Sequence, residues 1–122
     1  MTEGDFPFSF LEDARAVALS LEPVDPALVV EGSPMTGFAE WGSWQGMSVG
    51  VWEMSPGAMR DVEVDEVFIV VSGDALLRRV KDGLPQEKHL TPGVVCVLHH
   101  GEETEWQVRQ SLRKVYLSPQ TP

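Results

Sequence analysis

From Ala27 to Leu117 the chain alternates short apolar runs, rich in Val, Trp, Phe and Leu, with Gly and Pro at intervals of roughly 8–12 residues. That pattern predicts β-strands near residues 28–31, 37–41, 48–54, 59–64, 66–72, 75–80, 86–90, 94–98, 104–108 and 112–117. Pro56-Gly57 and Pro92-Gly93 suit tight turns in which glycine takes positive φ. Gly73-Asp74 and Asp82-Gly83 lie between apolar runs, where hairpin connections are expected. So many short strands need two packed sheets or a closed barrel to hide their edges. Side chains alternate along a strand, so Glu66, Phe68 and Val70 share one face and Val67, Ile69 and Val71 the other. Both faces are largely apolar, which predicts burial on both sides. A carboxylate opening such a strand is costly unless paired or ligated.

Ahead of the strands the texture is helical. Ser9 and Glu12 have the spacing of a capping box, and Leu11, Ala14, Ala18 and Leu21 then fall on one helical face, until Pro23 and Pro26 end the run. The expected organisation is a helical extension over 1–26, a β-domain over 27–117 and a fraying tail over 118–122.

Composition narrows the functions. Nineteen acidic against nine basic residues give a net charge of −10. Such a surface repels phosphate backbones and anionic headgroups, which argues against nucleic-acid or membrane-surface partners. The longest apolar runs, Val67 to Val71 and Val94 to Leu98, fall far short of the ~20 residues of a membrane span. Cys96 is the sole cysteine and no basic leader opens the chain, so the sequence predicts a cytoplasmic protein without disulfides.

Motifs that carry chemistry are scarce. No G-x-G-x-x-G, phosphate-binding P-loop, C-x-x-C, H-E-x-x-H or G-x-S-x-G occurs, and no catalytic residue can be assigned. Cys96 sits within Val-Val-Cys-Val-Leu, as a small buried hydrophobe does. His99 and His100 are adjacent and can ligate one metal only from a loop, and a metal centre needs three or four convergent ligands. His89, beside a turn, reads as a surface residue.

Several strings form a known pattern. They are Val49-Gly50-Val51-Trp52-Glu53 with Pro56-Gly57, then Asp65-Glu66 and Gly73, Pro92-Gly93, Gly101, Glu105-Trp106 and Arg113-Lys114-Val115-Tyr116. With these residues the chain resembles the cupin superfamily. Within it, the chain is similar to the small single-domain cupins related to (S)-ureidoglycine aminohydrolase and to the ethanolamine-utilisation cupin. The resemblance implies an all-β, jelly-roll β-barrel. In metal-binding cupins two histidines and a glutamate of the first motif and a histidine of the second hold the ion. Aligned on this chain, those positions are Arg60, Val62, Glu66 and Thr104, of which only Glu66 is a ligand. The resemblance therefore implies the fold without its usual cofactor, because one carboxylate does not hold a first-row metal against water.

If the Glu66 face is the interior, alternation places Arg60, Glu66, Phe68, Thr104 and Trp106 inside, with Lys114, Tyr116 and Trp52 able to join them. The bland reading of these residues is an Arg60–Glu66 ion pair in a filled barrel. Three functions compete. One is a metal-independent module that takes a small polar metabolite into the barrel. The second is a metal-dependent enzyme of the ureidoglycine aminohydrolase-like class, its metal held by Glu66, His99 and His100, with His89 as a further donor. The third is an interaction protein whose surface matters. The apolar outer face at Val67, Ile69 and Val71 adds the expectation of a homodimer.

Overall fold

The computed structural model describes residues 12–120, and over this range the architecture is all-β. The strands are β1 (Glu22–Pro23), β2 (Val29–Glu31), β3 (Met35–Trp44), β4 (Met47–Met54), β5 (Gly57–Val62), β6 (Glu66–Lys81), β7 (Leu84–Leu90), β8 (Val95–Leu98) and β9 (Glu103–Pro119).

Two long strands organise the molecule. β6 and β9 pair antiparallel from Val67↔Leu117 to Arg79↔Thr104, with register shifts between Val70 and Ala75. At those shifts both strands bend from one layer into the other. The first layer runs β1-β3-β4, then the Leu112–Pro119 part of β9, the Glu66–Val70 part of β6, and β8. The second runs β2-β5, then the Glu103–Val108 part of β9, the Ala75–Lys81 part of β6, and β7. The layers curl around a core that includes Met54, Phe68, Val70, Leu77, Leu90, Leu98, Trp106 and Leu112. Alternation supplies these residues from strands of both layers, so their apolar faces meet in the middle.

Gly73-Asp74 is therefore not a hairpin but the corner of one continuous strand. Gly73 has a φ of 101°, and a Cβ there would lie 2.2 Å from the Ser111 carbonyl oxygen. Likewise the expected strands 104–108 and 112–117 are one strand, β9, which continues to Pro119. Of the tail expected to fray, Ser118 and Pro119 pair with β4 instead and the Gln120 amide donates to the Gly46 carbonyl at 2.9 Å, while Thr121 and Pro122 lie outside the described residues. Asp82-Gly83 does form the expected two-residue hairpin, between Lys81 and Leu84.

The expected N-terminal helix does not form over the described residues; Ser9 and Leu11 lie outside them. A single turn follows Asp13, and the Ala14 and Val17 carbonyls accept from the Arg113 guanidinium at 3.0 and 2.7 Å. A helix would have used those carbonyls internally. Ser20 and Leu21 lie against Gly37, so the segment straps the outer face of β3, β4 and β9. Tertiary hydrogen bonds to a half-buried arginine outweigh the propensity of a short helix.

Candidate functional site

Trp52 on β4, Phe68 on β6 and Trp106 on β9 meet inside the barrel. The Trp52 and Phe68 ring centroids stand 5.4 and 5.7 Å from that of Trp106. Lys114, two residues from Leu112 on β9, points inward among them. Its Nζ lies 4.7, 4.4 and 4.7 Å from the Trp52, Phe68 and Trp106 centroids and 2.6 Å from Glu66 Oε2. Both partners are largely withdrawn from solvent, with side chains 6 % and 14 % exposed.

Glu63 completes the polar interior. Backbone hydrogen bonds from Glu63 to Glu102 and from Gly101 to Glu63 fix its position beside the 101–102 loop. Its buried carboxylate accepts from Thr104 Oγ1 at 2.5 Å and from Trp106 Nε1 at 3.0 Å. Asp61, half-buried and opposite Thr104 in the β5–β9 register, lies within electrostatic reach of Glu63, Glu66 and Lys114. Burial first, and then the Glu63 charge, push its carboxyl pKa up. Tyr116, next to Phe68 across the β6–β9 pair, has its phenol pushed up to about 12 by burial and by the carboxylates of Glu40 and Glu66.

Of the residues expected inside, the structure brings together Trp52, Glu66, Phe68, Thr104, Trp106, Lys114 and Tyr116. It does not bring in Arg60, which is exposed on the outer face of β5, opposite Glu105, and donates to the Ala27 carbonyl at 3.3 Å. Glu66 pairs with Lys114, not Arg60. The error has a physical origin. Residues 63–65 are an irregular connection between the strands, so the phase of alternation on β6 does not carry back to β5. Within β5 the buried Met59 sets the phase, and it places Asp61 inward. Met59 and Asp61 were the signal for Asp61; nothing local marked Glu63.

The alternative metal set is not assembled. The His89, His99 and His100 side chains are exposed. The His99 and His100 amides donate to Glu102 and Asp65, and His89 Nε2 lies 3.0 Å from Asp74 Oδ2. Among the described residues no group of three or more His, Cys, Asp or Glu side chains is arranged to hold a metal ion. An ammonium 2.6 Å from Glu66 stands where a cation would need that carboxylate. The residues do not fit a metal centre.

A second feature is a cleft of about 560 Å³ between the edge strands β7 and β8. Leu77, Cys96 and Leu98 face into it and are the cross-strand partners of Trp106, Phe68 and Glu66, so cleft and interior share the same strands. Arg79, Gln86, Lys88 and His99 supply its polar walls. Arg79 is held by Glu102 at 3.0 Å and by Gln86 at 3.1 Å. Burial pushes the Cys96 thiol pKa up, so it is held as the neutral thiol.

Residues 37–116 match the family model of the EutQ-like cupin domain. No curated protein matches the chain. Similar folds occur in a protein of unknown function from Pseudomonas syringae pv. tomato (18 % identity, TM-score 0.68, 84 % of this chain), in EutQ of Clostridium difficile (17 %, 0.57, 70 %) and in a putative ethanolamine utilization protein of Salmonella typhimurium (18 %, 0.56, 85 %). The matches cover 45 %, 68 % and 97 % of those chains, so this chain spans under half the length of the Pseudomonas syringae protein. At these identities the likeness is one of fold.

Proposed function

The chain belongs to the EutQ-like cupin family, and on that footing we propose that it binds a small polar metabolite in its barrel without a metal. The observation that carries this reading is the cleft between β7 and β8. Its volume is that of a small-molecule site, its floor is apolar, and a few polar groups converge on it. Arg79 and Lys88 line it in a chain of net charge −10, which suits a ligand bearing a carboxylate. Glu87 also lines the cleft, but its carboxylate is engaged by Arg78 at 2.7 Å. Glu66, Lys114, Thr104 and Tyr116 form the polar interior behind the floor.

We propose in addition that the protein is cytoplasmic and a homodimer. Among the described residues no helix is long and apolar enough to cross a membrane. Val95 and Val97 are exposed on β8, beside Val67 and Ile69.

The test is a thermal-shift screen of small carboxylates and amino acids on protein purified without a polyhistidine tag, with elemental analysis of the same sample. A ligand is expected to raise Tm, to slow the reaction of Cys96 with a thiol reagent, and to lose both effects in Arg79→Ala. Binding that leaves Cys96 equally reactive, or that survives Arg79→Ala unchanged, overturns the site. About one transition metal per chain, lost in Glu66→Ala, overturns the metal-independence.

A further inference from the structure

The Lys114 side chain does something unusual for a lysine. Long cationic side chains normally bury their methylenes and send the ammonium to water. Here the ammonium itself is inside, and the side chain is 6 % exposed. Three ring faces from three strands surround it, each centroid within 4.7 Å, well inside the ~6 Å over which a cation is attracted to an aromatic face. One carboxylate, that of Glu66, closes the set at 2.6 Å. Aromatic faces plus one anionic acceptor form the constellation that recognises an ammonium ligand. It selects a compact cation that a neutral isostere cannot replace, since only a cation meets both the ring faces and the carboxylate.

We propose that this aromatic box is a binding site for a primary alkylammonium, and that the chain fills it with its own Lys114. Lys114 is then the resident cation of the barrel, tethered in a site that would accept the same group from a free amine. The box lies behind the floor of the β7–β8 cleft, and the inference does not depend on what that cleft binds. It rests on where the ammonium lies, on the three rings and on Glu66. It also explains why the donor set fits no metal: the positive charge that the interior carboxylates face comes from a strand of the protein.

The experiment empties the box and refills it. Lys114→Ala removes the three methylenes and ammonium that n-propylammonium restores. The variant is expected to melt below wild type and to recover in n-propylammonium chloride, but not in sodium chloride or n-propanol. Wild type, whose box is filled, is expected to show no response beyond that to sodium chloride. Glu66→Gln added to Lys114→Ala is expected to abolish the recovery. Equal rescue by n-propanol would mean a mere cavity, and no rescue would mean no ammonium site; either overturns the proposal. Should Lys114→Ala not fold, reductive methylation of the native wild type decides. Lys81 and Lys88, both exposed, are expected to be methylated readily, and Lys114 slower by an order of magnitude. Methylation of Lys114 as fast as Lys81 overturns the assignment.

Discussion

Asp61 ends the inward face of β5 half-buried, with Glu63, Glu66 and Lys114 around it. Burial, helped by the charge of Glu63, holds its carboxyl above the ordinary value of 3.8, although the Val62 amide and Lys114 pull the other way. The folded protein therefore binds the Asp61 proton more tightly than the unfolded chain does. Stability from this group is present below the ordinary carboxylate value and is lost as pH rises through the higher folded value. Asp61→Asn is expected to be more stable than wild type at pH 7 and to lose that advantage near pH 3.5. Urea melts at the two pH values check this, and a variant less stable at pH 7 contradicts it. At this scale much was legible in the sequence. Glu66, Phe68, Thr104, Trp106 and Lys114 face inward as alternation predicts, because each lies within an uninterrupted strand. Arg60 does not follow, because the irregular residues 63–65 separate β5 from β6 and break the alternation between them.

Among the elements, β6 depends on a single residue to turn the corner between layers. Gly73 sits at a φ of 101°, and any Cβ would strike the Ser111 carbonyl and the Leu112 Cα of β9. Gly73→Ala is expected to cost on the order of 2–3 kcal/mol, since both the backbone conformation and the contact oppose a side chain. Gly83→Ala is the control. It has a similar positive φ of 75° but open space around the Cβ position, so about 1 kcal/mol is expected. Chemical-denaturation midpoints of the two variants measure the difference. If Gly73→Ala is no worse than Gly83→Ala, the close approach of β9 is not what demands glycine. Local sequence cannot separate these two roles. Gly73-Asp74 and Asp82-Gly83 are both glycine-acidic pairs between apolar runs, and only the second reverses the chain. The first bends without reversing, because β9 pairs along its side.

For the whole molecule, the outer face of the first layer divides in two. The segment that Arg113 ties down covers the end near Glu53, where Arg113 Nε lies 2.8 Å from Glu53 Oε1. The other end carries Val95 and Val97, 58 % and 52 % exposed, beside Val67 and Ile69. A homodimer that buries this end is expected to appear in light scattering at micromolar concentration, and Val97→Lys is expected to give the monomer mass with an unchanged fold. A monomeric wild type would count against it. The class of fold was determined by the sequence: short β-rich runs and frequent turns call for an all-β body of two packed sheets or a closed barrel, and the strings around Trp52, Glu66, Trp106 and Lys114 carried the family and with it the barrel. Alternation within each strand also determined most of the interior. The tertiary structure decided the rest: which face of β5 turns inward, whether 73–74 bends or reverses, what the N-terminal carbonyls bond to, and that Lys114 rather than Arg60 pairs with Glu66. The physical reason is range. Period-two alternation and turn propensity act over a few residues, whereas the phase across an irregular connection and the choice of ion-pair partner are set by strands that meet from 40 or more residues apart, as Lys114 and Glu66 do at a separation of 48.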